Sequence, residues 1–192
     1  MPDDLRPLHR AALDDADRLV GRVTPADLAR PTPCAGWDLA DLLAHMIGQH
    51  HGFAAAVRDG NAPAAAYAVR PWTPAGWAES VRTLREAFAA ADPGRAVVLV
   101  EIAPAALPLR RVVGAQLLDT VAHTWDVARA LGREHVPAAE LVAVVAAVAA
   151  AVPDGEHRDR PGGAFARPVP AQGTDWDQAL ARLGRGSGRP PP

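Results

Sequence analysis

The chain has a single cysteine, Cys34, among 192 residues, so no disulfide can form within it and its composition suits a reducing compartment. It has no lysine: all 20 basic residues are arginine. With heavy use of alanine, glycine and proline, this resembles the codon bias of a GC-rich genome and carries no mechanism. The arginines are scattered rather than gathered in a stripe, and the net charge is only −2, which argues against nucleic acid as a partner. No apolar run reaches membrane-spanning length. The nearest approach, LVAVVAAVAAAV, is about half of what a bilayer needs. The opening MPDDLRPLHR lacks the apolar core of a secretory signal, and no internal repeat is visible. The expectation is a soluble cytoplasmic protein without a membrane partner.

What is present reads as helix. Leu5, Leu8, Ala12, Ala16 and Leu19 recur at three-and-four spacing and predict a first helix over residues 3–23. Pro25, Pro31 and Pro33 interrupt the chain. Asp38 is a natural N-cap for a second helix reaching about Arg58, ended by Gly60 and Pro63. Thr73 with Pro74 opens a third, which Asp92-Pro93-Gly94 stops near Ala91. AVVLVEI is β-like, and LPLRRVV is its candidate partner in a short hairpin or extended crossover. A fourth helix follows over residues 113–131, with Gly132 as its C-terminal glycine. Residues 137–152 and 175–183 predict two more. The resulting architecture is all-α: a four-helix bundle with long crossovers and extra C-terminal helical elements, one domain over residues 1–183 and a disordered tail over 184–192.

Within that scaffold three residues carry chemistry. Asp119 and His123, four apart in LLDTVAHTWDVARALG, share one helix face, and His45 lies in the apolar run LADLLAHMIGQHHGF. All three sit on or beside stripes that turn inward, where ionisable groups need partners. A helix packed alongside could bring His45 to the depth of the pair, making a three-ligand metal site. Three protein ligands leave a divalent ion an open position for water, a substrate oxygen or a thiol. The plainer alternatives are a solvated helix face for the pair and a satisfied core histidine for His45. His50 and His51 are weaker candidates, because position 49 shares the face of His45 most closely. Cys34 reads as a structural residue of the turn, with a reactive thiol as the alternative. Trp37 and Trp125 read as packing anchors. Asp126 is placed to orient the His123 imidazole or to be solvated, and Arg111 and Arg129 are candidates to grip a carboxylate or, more ordinarily, solvated helix arginines.

The segments TPCAGWDLADLLAHMIGQHHGF, LLDTVAHTWDVARALG and PGGAFARPVPAQGTDWDQALARLGR together resemble the actinobacterial branch of the DinB-like superfamily. That group includes the metal-binding N-terminal domain of mycothiol-dependent maleylpyruvate isomerase. The resemblance implies a DinB-like bundle in which His45, Asp119 and His123 hold a divalent metal, zinc first and nickel second. Asp119 stands where better-known members carry Glu or His. Being one methylene shorter than Glu, it implies a closer helix or a contact through water. The implied function is a mycothiol-dependent transferase or isomerase, using a metal-activated thiolate on a small-molecule substrate. A non-catalytic or stress-associated protein that binds metal and a small ligand is the alternative, with a decayed metal site as a further one. A homodimer is left open.

Overall fold

The computed structural model describes residues 2–100, 102, 105–159 and 165–186, with the side chain of His157 left aside. Six α-helices dominate it: α1 (Arg6–Val20), α2 (Leu39–Asp59), α3 (Pro74–Ala90), α4 (Leu109–Ala130), α5 (Ala139–Ala150) and α6 (Asp175–Arg182). The helix starts follow local chemistry. The Asp41 N–H donates to Asp38 Oδ1 at 2.9 Å and the Asp38 N–H to Asp41 Oδ2 at 3.3 Å, a reciprocal cap that satisfies two orphan donors of α2. Thr73 accepts from the Gly76 N–H at 2.9 Å with Pro74 at the first helical position of α3. Gly60 and Gly132, at φ 86° and 69°, turn the chain out of α2 and α4.

The first four helices form the expected bundle. α1 lies between α3 and α4, and α2 lies opposite it, also between α3 and α4. The α1–α2 and α3–α4 links therefore join diagonal partners, which accounts for their length. α5 packs on α4 and carries α6. α4 is buried on nearly every side, from Leu109 through Val113, Leu117, Val121 and Val127, as a central helix must be. Gly48 and Gly52 allow the 3₁₀ turn Ala64–Tyr67 to lie directly on α2: a Cβ on Gly52 would fall 2.2 Å from the Tyr67 ring, and one on Gly48 2.6 Å from the Tyr67 carbonyl oxygen.

Four sequence expectations shift. The first helix is shorter than residues 3–23, running from Arg6 to Val20. The hairpin exists but is minimal: β1 (Ala96–Val97) pairs antiparallel with β2 (Leu107–Pro108), in register Ala96 to Pro108 and Val97 to Leu107. Most of LPLRRVV is instead the opening of α4, four residues ahead of the expected start, because Leu109, Val112 and Val113 are buried at helical spacing. Arg185, assigned to the tail on sequence, is buried; residues 187–192 lie outside the described part. Among the described residues no helix is long and apolar enough to cross a membrane.

Candidate metal centre

α2 presents His45 from its second turn and α4 presents Asp119 and His123 one turn apart. Their side chains meet. Asp119 Oδ1 lies 3.4 Å from His123 Nε2 and 3.8 Å from His45 Nε2, and one ligand atom from each of the three residues falls within 4.8 Å of the others. Donors about 2.0–2.1 Å from a tetrahedral zinc stand roughly 3.3 Å apart, so two of the three edges are already near that length. The aspartate reaches both histidines despite its short side chain. The imidazole planes of His45 and His123 stand nearly edge to face, centroids 5.1 Å apart. The opening lies on the side of His45 and Asp119, whose side chains are 22% and 19% exposed against 5% for His123.

The other nitrogen of His123 is committed elsewhere. Its Nδ1 lies 2.9 Å from Asp126 Oδ2, one turn further along α4. Asp126 is completely buried. Burial alone would raise its carboxyl pKa, but the Arg185 guanidinium and the His123 ring hold it far below the usual carboxylate range. An ionised carboxylate can only accept, so Nδ1 carries the proton and Nε2 is the atom left to face Asp119 and His45. This is the arrangement in which a metal-ligating histidine is oriented by a carboxylate behind it. Asp119 behaves similarly: burial pushes its carboxyl up, yet His123 and His45 draw it well below the ordinary value. Burial disfavours a charged His123, but Asp119 and Asp126 outweigh it and raise the ring well above 6.5.

The segment before α2 packs beside the site. Pro31 and Asp38 pair as an isolated bridge, Gly36 turns at φ 79°, and Thr32 Oγ1 donates to the Trp37 carbonyl at 2.9 Å while accepting from the Cys34 N–H at 3.1 Å. This fold-back sets the Trp37 ring 4.9 Å from the His45 ring, limiting its rotation. It also brings Cys34 to the inner cluster: Sγ donates to Asp126 Oδ2 at 3.3 Å and lies 3.9 Å from His123 Nδ1. Cys34, His123 and Asp126 form a second group with metal-ligand chemistry. Its cationic place is filled, however, since Arg185 Nη2 lies 2.6 Å from Asp126 Oδ2, 3.4 Å from His123 Nδ1 and 3.9 Å from Cys34 Sγ.

The weaker candidates fall away from the centre. His50 Nδ1 donates to Ser80 Oγ at 2.9 Å, and Ser80 donates to the Trp77 carbonyl at 2.8 Å. Burial pushes the His50 pKa down to about 3, which makes it a neutral core residue. His51, half-buried, belongs to neither group. Arg129 pairs with Glu134 at 3.0 Å and lies over the Trp125 ring, and Arg111 is exposed. A surface groove of about 350 Å³ is lined by Asp17, Ala78, Val81, Arg82, Arg85 and Glu86, none of them part of the cluster. Sequence reasoning missed Arg185 and the inward face of Cys34. The available signal for Arg185 was Asp126 itself, an anion on the buried stripe that required a cation.

A bundle of this topology with a His, Asp, His cluster between its second and fourth helices defines a DinB-like domain with a candidate divalent-metal site. The family model described as mycothiol maleylpyruvate isomerase N-terminal domain matches residues 9–128, and the chain belongs to that DinB-like family. His45, Asp119, His123 and Asp126 lie inside the matched stretch; Arg185 lies beyond it. Two uncharacterized proteins of Mycobacterium tuberculosis, from the CDC 1551 and H37Rv strains, are each 29% identical over 185 residues, an alignment spanning 92% of this chain and 95% of the relative. No solved structure matches the chain.

Proposed function

We propose that this protein binds one divalent metal, zinc in first place and nickel in second, through His45, Asp119 and His123, and uses it with mycothiol or a similar low-molecular-weight thiol in a transfer or isomerisation reaction in the cytoplasm. The observation that carries the reading is the convergence of three ligand atoms within 4.8 Å at a partly open mouth, behind which a buried carboxylate fixes the third ligand. Membership of a family described by mycothiol supports the choice of thiol.

The chain's own residues divide the work. His45 and Asp119 supply ligand atoms at the mouth, so the side from which a thiol can enter is theirs. His123 supplies the innermost nitrogen, with its tautomer set by Asp126. Trp37 packs against His45 and restricts the ring to one orientation. A divalent cation held there supplies Lewis acidity, lowering the pKa of a ligated thiol so that thiolate is available near neutral pH. The substrate class this suits is a small electrophile with an activated double bond, for isomerisation, or with a leaving group, for transfer.

Calorimetric titration of mycothiol into zinc-loaded and metal-free protein tests the reading. Binding only to the loaded form, tightening with rising pH as the thiol gives up its proton, is the expected result. Equal affinity for both forms would leave a passive pocket, and a bound thiol that never turns over an activated alkene would leave a binding protein rather than an enzyme.

A further inference from the structure

The segment that follows the family-matched domain reaches back into the site. α6 ends in a left-handed turn: Gly184 has φ 79°, its N–H donates to the Ala181 carbonyl at 3.0 Å, and the Arg185 N–H donates to the Leu180 carbonyl at 2.9 Å. This closure points the Arg185 side chain into the bundle. Its Nε donates to Asp126 Oδ1 at 2.9 Å and Nη2 to Oδ2 at 2.6 Å, a two-toothed pairing that fixes both the position and the plane of the carboxylate. Nη1 is held by the Leu183 carbonyl at 3.0 Å, and the Phe165 ring lies 5.7 Å from the guanidinium carbon. Both partners are buried, and the carboxylate so fixed is the one that accepts from His123 Nδ1.

We propose that Arg185 is a positioning residue of the metal centre, acting through Asp126 to hold His123 Nε2 toward Asp119 and His45, so that the chain's C-terminal segment is a working part of the site. The inference rests on the metal reading of those three residues. It also assigns the Cys34, His123 and Asp126 group a protein cation in place of a second metal. Partners placed behind a metal-ligating histidine commonly alter affinity by about 10–100-fold when removed, and a planar fork cannot be replaced fully by a point charge.

The test is cobalt affinity by chelator competition, with the visible spectrum of the cobalt form and the melting temperature of the metal-free form recorded beside it, for wild type, Arg185→Gln, Arg185→Lys and Arg182→Gln. Arg182 is the control, because it anchors α6 to the Ala149 and Ala150 carbonyls and makes no contact with Asp126. Arg185→Gln is expected to weaken cobalt binding at least tenfold and shift its spectrum, Arg185→Lys to recover part of the loss, and Arg182→Gln to lower only the melting temperature. If Arg185→Gln fails to fold, Arg185→Lys against Arg182→Gln carries the same comparison. Wild-type affinity and spectrum in the Arg185 variants would overturn the inference while leaving the three-ligand site standing. An equal loss in Arg182→Gln would reduce Arg185 to a structural anchor. No cobalt binding by wild type would overturn both readings.

Discussion

His123 and Asp126 sit one turn apart on α4 with Nδ1 and Oδ2 2.9 Å from each other, and that contact determines which imidazole nitrogen is offered to the outer site. Removing the carboxylate has two consequences. Asp126→Ala frees the ring to change tautomer, and it leaves the buried Arg185 guanidinium without its anion. Breaking one side of a buried pair typically costs about 3–5 kcal/mol. Chemical denaturation of metal-free Asp126→Ala is expected to show a loss of that order, whereas a loss below about 1 kcal/mol, the range of exposed pairs, would mean that the pair is effectively solvated.

The three proposed ligands give a graded series. His45→Ala and His123→Ala are each expected to abolish metal binding, and Asp119→Ala to weaken it, since the imidazoles are the stronger donors. His51→Ala and His50→Ala are expected to leave the metal content of folded protein unchanged, His50 because its Nδ1 is committed to Ser80. Metal content after gel filtration decides it, and an effect of His50→Ala equal to that of His45→Ala would overturn the assignment.

Two buried neutral histidines set the response to acid. His9, bonded to Gln116, is pushed down to about 4 by burial, and His50 to about 3. Below an unfolded-state value near 6.5 the unfolded chain binds protons that the folded chain refuses, so stability falls as pH falls. The loss should begin near pH 6.5 and amount to roughly 2–3 kcal/mol per histidine by pH 4.5. Asp119 and Asp126, with carboxyls depressed below 3.8, add their loss only at lower pH. His123, raised above 6.5, contributes stability that is fully present below pH 6.5 and declines above it, outside this window. Urea midpoints from pH 6.5 to 4.5 should therefore slope less in His50→Gln than in wild type; parallel curves would show that His50 is not held neutral.

Two glycines predict opposite signs. Gly52→Ala would drive a methyl into the Tyr67 ring at 2.2 Å, and overpacking of this kind costs about 1–3 kcal/mol. Gly114→Ala, within α4, would place its methyl 3.5 Å from Leu5 and Val148, an ordinary contact, and is expected to stabilise by up to about 1 kcal/mol through helix propensity. Melting temperatures of the two variants should move in opposite directions.

These contrasts show where the sequence was readable. The caps at Asp38 and Thr73 and the glycines at 60 and 132 act within a turn of chain, so their helices were legible from local pattern. The spacing of Asp119 and His123 was equally local, and the apolar surroundings of His45 marked it as a buried group in need of a partner. The start of α4 was not legible, because LPLRRVV suits a strand as well as a helix and burial of Leu109, Val112 and Val113 in the bundle decides it. Cys34 escaped because a tertiary fold-back through Gly36 sets its distance from α4. Arg185 escaped because its partner lies 59 positions earlier; a short helix followed by Leu183 and Gly184 signals a left-handed cap but not what the next side chain meets.

The most direct measurement is the metal content of untagged protein, purified without added metal, beside that of His123→Ala prepared in the same way. Elemental analysis is expected to find close to one equivalent of zinc or nickel in wild type and essentially none in the variant. A metal-free wild type under metal-replete growth, or equal metal in both proteins, would contradict a centre built from His45, Asp119 and His123.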